Sequence, residues 1–230
     1  MERYLRQTIL PGFGTQGQQR LLASSALIVG LGGLGAPVAS YLVSSGVGRI
    51  GLCDNDTVGI TNLQRQILYT EHDLGKPKTR CAHRRLSAMS HDTVLDIIDG
   101  GLTVDNAATV IAAYDIVVDC TDNFATRRLI DSECRRLGKP WVHGSIDGLY
   151  GCVTVFNHRS GKCYADLYPD AETFADNRDR LIANLGPVPG VIGSIQALEA
   201  LKLLSGCGDT LDGRILVLDL DKMIFSTIEF

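Results

Sequence analysis

The chain has 230 residues, of which 45% are hydrophobic and 21% are charged, and its formal net charge is −4 at pH 7. This length and composition allow a substantial core, so we expect a single α/β domain over residues 1–230 and not a disordered chain. The acidic balance, with no run of like charges, excludes long-range attraction to nucleic acid or to anionic lipid.

Two stretches bear on membranes and targeting. The opening MERYLRQTIL lacks a basic segment followed by an apolar run, so we expect no secretory signal and a cytoplasmic protein. Residues 26–43, ALIVGLGGLGAPVASYLV, are uncharged and about long enough to cross a bilayer. Their glycines lie where a strand would turn into a helix, however. A buried strand and a packed helix therefore explain the apolarity better, and we expect no membrane partner.

Strand and helix signals alternate along the chain. The strand signals are ALIVG, RIGLCD, VLDIID, DIVVDCTD, PWVHGSI, GCVTVFN, GRILVLDL and MIFSTIEF. The helix signals are GLGGLGAPVASYLVSSG after its first turn, GKPKTRCAHRRLSAMS, TVDNAATVIAAY, FATRRLIDSECRRLG and VIGSIQALEALKLLSG. This alternation predicts an α/β fold with a doubly wound, Rossmann-like, mostly parallel sheet, and the β-rich end predicts antiparallel C-terminal strands.

A glycine fingerprint follows the first predicted strand. Gly30, Gly32 and Gly35 in GLGGLG fit GxGxxG, in which the first glycine permits a tight turn, the second a close approach to phosphate and the third close helix packing. Asp54 ends the next strand at the distance expected of an acid that binds a ribose hydroxyl. Together they predict nucleotide binding, with a strand-end capping role as the alternative for Asp54.

Further charged residues follow the fingerprint. Arg65 lies in NLQRQ, Lys78 in GKPK and Asp122 in DCTDN after the fourth predicted strand. A dehydrogenase that binds NAD does not need these extra cations, whereas a triphosphate with Mg²⁺ uses both the cations and a carboxylate. The set therefore favours ATP. Each residue has a structural alternative: a surface ion pair for Arg65, a solvated helix-start lysine for Lys78 and a helix N-cap for Asp122.

These motifs, in this order, resemble those of the ubiquitin-activating-type (E1-like) adenylyltransferases of the MoeB, ThiF and HesA group. The resemblance rests on RYLRQ, GLGGLG, DNDTVGITNLQRQ, GKPK, DCTDN and GPVPGVIGSIQALEALKLL, and it covers residues 3–230. It implies a homodimer that uses Mg²⁺ and ATP to adenylate the C-terminal carboxylate of a small ubiquitin-fold sulfur carrier ending in Gly-Gly. The product would be an acyl-adenylate and pyrophosphate, for later sulfur transfer.

The resemblance also implies which residues would bind the nucleotide. Gly32 and the neighbouring amides, including that of Gly33, would pass close to it. Asp54 would hold the ribose, and Asn62 would bind phosphate together with Arg65 and Lys78.

Four residues would be catalytic by the same resemblance. Arg65 and Lys78 would bind phosphates, Asp122 would bind Mg²⁺, and Arg6 would reach the γ-phosphate side of the partner subunit's site. A carboxylate that attacks the α-phosphorus is already ionised, so no general base is required. The residues would act by alignment and by spreading negative charge.

The cysteines depart from the family pattern. Family members commonly bind zinc with two CxxC pairs, whereas here Cys163 is followed by Asp166 and a second pair is missing, so we expect no structural zinc. Many relatives also place a cysteine in the loop before GPVPGVIGS, and none lies between Tyr164 and Ser205. Our prediction therefore stops at the acyl-adenylate.

Other functions remain open on the sequence. The first alternative is adenylation of a peptide or an unusual carrier in a natural-product pathway. An NAD-dependent oxidoreductase is less favoured because it would not need Arg65, Lys78 and Asp122. A catalytically silent scaffold would be expected to lose some of these charged residues.

Overall fold

A computed structural model describes residues 2–170, 173 and 183–230. The strands of this part are β1 Ser25–Val29, β2 Arg49–Asp54, β3 Val94–Asp99, β4 Ile116–Asp119, β5 Trp141–Asp147, β6 Tyr150–Phe156, β7 Arg214–Asp219 and β8 Ile224–Glu229. Its α-helices are α1 Leu5–Thr8, α2 Gly14–Ala23, α3 Gly35–Ser45, α4 Lys78–Ser87, α5 Ala107–Ala112, α6 Phe124–Leu137, α7 Tyr164–Leu167 and α8 Pro187–Ser205. Single 3-10 turns occupy Glu2–Tyr4, Ile60–Asn62 and Glu71–Asp73.

The strands form one sheet in the order β3-β2-β1-β4-β5-β6-β7-β8. The first five of these run parallel to one another, and β6, β7 and β8 are antiparallel to their neighbours. The predicted mostly parallel, doubly wound sheet with antiparallel C-terminal strands is therefore confirmed. The strand order reverses between β1 and β4, and α/β sheets bind ligands in the crevice at such a reversal.

Apolar residues cover both faces of the sheet. Leu27 and Ile28 of β1 are fully buried, and as neighbours in a strand they point to opposite faces. Ile28 packs in a core with α3 and α8, and Leu27 packs in a core with α5 and α6. Residues 26–43 are thus divided between β1 and α3, and none of the described helices combines the length and apolarity that a bilayer span needs.

The predicted pattern lacks the one-turn helices α1 and α7, and it differs from the structure at two longer helices. The sequence pattern does not predict α2, whose two glycines weaken the helix signal although Leu21 and Gln18 are buried. Helix α8 begins at Pro187, earlier than the predicted VIGSIQALEALKLLSG, because proline at the first helical turn gives up an N–H that has no partner there.

Candidate nucleotide-binding site

The turn between β1 and α3 excludes side chains at two of its glycines. Gly30 has a φ of +93°, and a Cβ there would lie 2.6 Å from the carbonyl oxygen of Cys120. A Cβ on Gly35 would lie 2.1 Å from the carbonyl oxygen of Gly30. The turn and the packing of α3 therefore depend on these two glycines. Gly32 has more room, since its added Cβ would come no closer than 3.5 Å to Gln66 Nε2.

The start of α3 offers amide groups to a ligand. The N-cap residue Leu34 makes no side-chain capping hydrogen bond. The first N–H groups of a helix lack intrahelical acceptors and favour an anion, so this turn suits a phosphate.

Asp54 ties the end of β2 to the glycine turn. The Leu31 N–H donates to its Oδ2 at 2.6 Å, and the Asp56 N–H donates to its Oδ1 at 2.8 Å. Burial raises the pKa of Asp54, while the charge of Lys78 and the two amides act in the opposite direction. Each carboxylate oxygen keeps a second lone pair, so the fixed carboxylate can still accept a ribose hydroxyl.

Lys78 provides a fixed cation beside Asp54. Its side chain is 6% exposed, and Nζ lies 2.9 Å from Oδ2 of Asp56, whose side chain is 66% exposed. The Lys78 N–H also donates to the Asp56 carbonyl at 3.0 Å, which fixes the start of α4. Lys78 is therefore not the solvated helix-start lysine that the sequence left as an alternative. Its ammonium group faces an exposed carboxylate at the rim of the site.

Asn62 and Arg65 come from the segment after β2. Asn62 Oδ1 accepts the Gly59 N–H at 3.0 Å, which orients the side-chain amide. Arg65 is half-buried, its Nη1 donates to the Thr61 carbonyl at 3.0 Å, and its Cγ lies 3.4 Å from where a Cβ on Gly33 would be. Arg65 thus lies beside the glycine turn, and within the described ranges it makes no ion pair.

Gln66 is a further candidate for the site that the sequence analysis missed. Its side chain is 3% exposed and lies under Gly32, and its Oε1 has no hydrogen-bond partner in the described part of the chain. A buried amide group without a partner is costly unless a ligand or water completes it. Its place in NLQRQ, next to Arg65, was the available signal.

Asp122 and Arg6 are exposed, unlike the other charged candidates. Asp122 follows β4 and is exposed at the carboxyl edge of the sheet, and the N-cap of α6 is Asn123, whose Oδ1 accepts the Thr126 N–H at 2.9 Å. The capping alternative for Asp122 is therefore wrong. Arg6 is exposed on α1, which packs against α2, and no described contact joins it to Asp54 or the other site residues of its own chain.

The described residues contain no group of three or more His, Cys, Asp or Glu side chains placed to hold a metal ion. Mg²⁺ usually binds through one or two carboxylates, water and substrate phosphates, so the single exposed carboxylate of Asp122 fits that mode. The Cys163 N–H donates to Asp166 Oδ2 at 2.7 Å, so Asp166 caps α7. The absence of structural zinc stays a prediction.

Comparison with known proteins places this arrangement in a family. The profile of the ThiF family matches residues 4–230. The chain belongs to the ThiF family. The relative named adenylyltransferase and sulfurtransferase MOCS3 from Culex quinquefasciatus is 44% identical over 230 residues, which cover 99% of this chain and 52% of that protein. The sulfur carrier protein adenylyltransferase of Thermus thermophilus is 43% identical over 225 residues, covering 95% of this chain and 83% of that protein.

The chain spans about half the length of its MOCS3 relatives. Solved structures share the ThiF fold at lower identity. PaaA superposes with a TM-score of 0.84 at 22% identity, covering 99% of this chain and 72% of that one. Escherichia coli MccB with ATP gives a TM-score of 0.81 at 24% identity, covering 94% of this chain and 66% of that one. These two likenesses support the fold alone.

Proposed function

We propose that this ThiF-family chain catalyses ATP-dependent adenylation of the C-terminal carboxylate of a small ubiquitin-fold sulfur carrier that ends in Gly-Gly. The observation that carries the proposal is the buried Lys78, held at 2.9 Å from Asp56 beside the acid Asp54. A fixed cation at the rim of a dinucleotide-type fold suits a triphosphate, whereas the pyrophosphate of NAD needs only the amides of the glycine turn.

The residues act by position and charge. Bound ATP supplies an electrophilic α-phosphorus and a pyrophosphate leaving group, and Mg²⁺ neutralises phosphate charge. Asp54 accepts from the ribose, and Asn62, Arg65 and Lys78 donate to phosphate oxygens. Asp122 would hold the Mg²⁺. Fixed donors of this kind lower the barrier because they need no reorganisation when charge moves onto the leaving group.

The proposal that the substrate carboxylate belongs to a sulfur carrier is supported by the names of the relatives. The names of the T. thermophilus and C. quinquefasciatus proteins speak for a sulfur carrier and not a free peptide. For this chain we propose the adenylation step alone, in the cytoplasm, with neither nucleic acid nor membrane as partner. A peptide or another unusual acid stays the alternative.

A homodimer is part of the proposal, and α8 supports it. Val191, Ile195 and Leu198 follow helical spacing on α8; the first two are half-buried at the margin of the core, and Leu198 is 55% exposed. An apolar groove of about 650 Å³ runs along α8 and includes Tyr41 and Ile67. An exposed apolar face next to a groove of this kind suits burial against a second copy.

The test of the substrate is ATP–pyrophosphate exchange with Mg²⁺. Candidate carriers ending in Gly-Gly are compared with copies that lack the last glycine. We expect exchange that depends on the intact tail. Exchange with a short peptide but with none of the carriers would favour the alternative, and no exchange with either would contradict adenylation of both.

A further inference from the structure

A second cluster of ionisable side chains lies on three neighbouring strands of the sheet. It consists of Asp119 at the end of β4, His143 on β5 and Cys152 on β6. Asp119 is fully buried, His143 is 1% exposed and Cys152 is 9% exposed. The nucleotide site described above uses none of these three residues.

Asp119 and His143 form a fixed pair. His143 Nδ1 donates to Asp119 Oδ2 at 2.8 Å, and the Thr121 hydroxyl and N–H donate to Oδ1 at 2.6 and 3.0 Å. Arg127 of α6 adds a guanidinium group whose Nε lies 3.6 Å from Asp119 Oδ2. The carboxylate therefore fixes both the orientation and the tautomer of the imidazole.

The other imidazole nitrogen is left without a partner among the described residues, and Cys152 is a neighbour of His143 on the same face of the sheet. His143 pairs with Thr154 and Ser145 pairs with Cys152 across β5 and β6, so His143 and Cys152 are diagonal neighbours on one face. His143 Nε2 is buried and has no hydrogen-bond partner in the described part of the chain. Cys152 Sγ lies 3.1 Å from Ser145 Oγ and 3.8 Å from the hydroxyl of Tyr168.

The neighbouring groups favour the charged forms of both Cys152 and His143. Burial opposes the thiolate, but His143, Ser145 and Tyr168 together lower the pKa of Cys152 to about 7. Burial also opposes the imidazolium ion, yet the hydrogen bond to Asp119 raises the pKa of His143. With Asp119 and the thiolate as anions and His143 and Arg127 as cations, each buried charge has an opposite partner.

The phenol groups that face the cluster keep their own protons and do not take part in the proton exchange between His143 and Cys152. Tyr164 and Tyr168 of the α7 region pack against the His143 ring, and burial raises the pKa of both phenols. Burial likewise raises the pKa of other thiols, which are those of Cys53, Cys81, Cys120, Cys134 and Cys163. Cys152 is therefore set apart from these five cysteines by its partners.

We propose that Cys152 is a nucleophilic site that reacts with small oxidants of the hydroperoxide class, with His143 as the proton donor. The thiolate sulfur attacks one peroxide oxygen, so that an S–O bond forms as the O–O bond breaks. Sulfur loses two electrons and the peroxide gains them. The leaving hydroxide of hydrogen peroxide, or the alkoxide of an alkyl hydroperoxide, takes the His143 Nε2 proton and departs as water or an alcohol, and Cys152 becomes a sulfenic acid. Cys152 is 9% exposed, so a small peroxide is hindered less than a larger reagent.

The test is brief treatment of the full chain with hydrogen peroxide over a range of pH. Catalase then removes the peroxide, the chain is unfolded in dimedone, and mass spectrometry quantifies the labelling of each cysteine. We expect Cys152 to react before the more exposed Cys207, with a half-maximal rate near pH 7. His143→Gln should lower the Cys152 rate at pH 6 by roughly ten-fold, because fewer thiolates outweigh their higher intrinsic nucleophilicity.

Ser145→Ala provides a second variant in case His143→Gln does not fold. It should lower the Cys152 rate several-fold, whereas Ser132→Ala, an exposed serine on α6, should leave the rate unchanged. A Cys152 that reacts no faster than Cys207 at pH 7 would overturn the proposal. So would a rate that neither His143→Gln nor Ser145→Ala changes.

Discussion

Two clusters of acids and cations lie on the same sheet, the first beyond the end of β2 and the second on β4 and β5, and they differ in exposure. In the first, Lys78 is buried but its partner Asp56 is 66% exposed. In the second, both Asp119 and His143 are almost completely buried. A ligand can replace an exposed partner such as Asp56, whereas the loss of one member of a buried pair leaves the other charge without compensation and destabilises the fold. We therefore expect mutations in the first cluster to affect activity and mutations in the second to affect stability.

The largest expected effect is on catalysis. Lys78→Ala should lower ATP–pyrophosphate exchange roughly 10²- to 10³-fold, the loss typical of one preorganised charge contact. The free energy of unfolding should fall by no more than about 1 kcal/mol, because the Asp56 carboxylate is exposed and stays hydrated when the lysine is lost. Chemical denaturation and the exchange assay measure the two effects on the same preparation.

Lys76→Ala is the matched control. Lys76 lies two residues before the start of α4, is exposed, and donates a hydrogen bond to the His72 carbonyl. It should keep both activity and stability. We expect Arg65→Ala and Asp122→Ala to lose most turnover while folding normally. Full activity in these two variants and in Lys78→Ala would contradict the assignment of the site.

A mixing experiment tests whether Arg6 completes the site of the partner subunit. If Arg6 serves the partner subunit's site, Arg6→Ala and Lys78→Ala chains are each inactive alone, but a mixed dimer contains one complete site. Random mixing should restore about a quarter of wild-type exchange, since half of the dimers are mixed and each has one working site. Mixing that restores no activity in a confirmed mixed dimer would place Arg6 elsewhere.

For the second cluster we expect a large effect on stability. His143→Leu removes the Nδ1–H donor from the buried Asp119 carboxylate, and such a loss destabilises a protein by about 3 kcal/mol. The melting temperature should fall by roughly 6 to 12 °C for a chain of this size. His91→Leu, at an exposed histidine, should change stability by less than about 0.5 kcal/mol. Equal stability of the two variants would contradict the comparison.

The sequence predicts Lys78 of the first pair but not its partner Asp56, and it misses the second pair, although the separations along the chain are similar. Lys78 and Asp56 are 22 positions apart, and His143 and Asp119 are 24 apart. Local chain signals place Lys78, because the lysine starts a helix, and Asp56 comes two residues after the end of β2. The second pair and Cys152 depend on strand order and register, and a slip of one residue would turn Cys152 to the other face. Hydrophobic periodicity determines neither of these.

Asp73 combines features of the two clusters and should show the smallest effect. Its side chain is 4% exposed, but its partner Arg84 is 63% exposed. Burial opposes ionisation, yet the Thr70 N–H, the Thr70 hydroxyl and Arg84 lower the pKa of Asp73 to about 2. The lowered pKa stabilises the fold above about pH 4, the unfolded value, and this contribution is lost as the pH falls through about 2.

Asp73→Asn should therefore lower the free energy of unfolding at pH 7 by about 1 to 2 kcal/mol, since the exposed Arg84 is screened by solvent. The difference from wild type should disappear near pH 2. Urea denaturation at several pH values measures it. A difference that is the same at pH 2 and pH 7 would show that the carboxylate charge is not its source.

The most direct test of the central claim is calorimetric titration of wild type and Lys78→Ala with ATP, AMP and NAD in the presence of Mg²⁺. The site is proposed to hold a triphosphate through Lys78. Wild type should therefore bind ATP at least about ten-fold more tightly than AMP or NAD, a difference of about 1.4 kcal/mol, and Lys78→Ala should lose most of this preference. Binding of NAD as tight as that of ATP, or an ATP preference that Lys78→Ala leaves unchanged, would contradict the account.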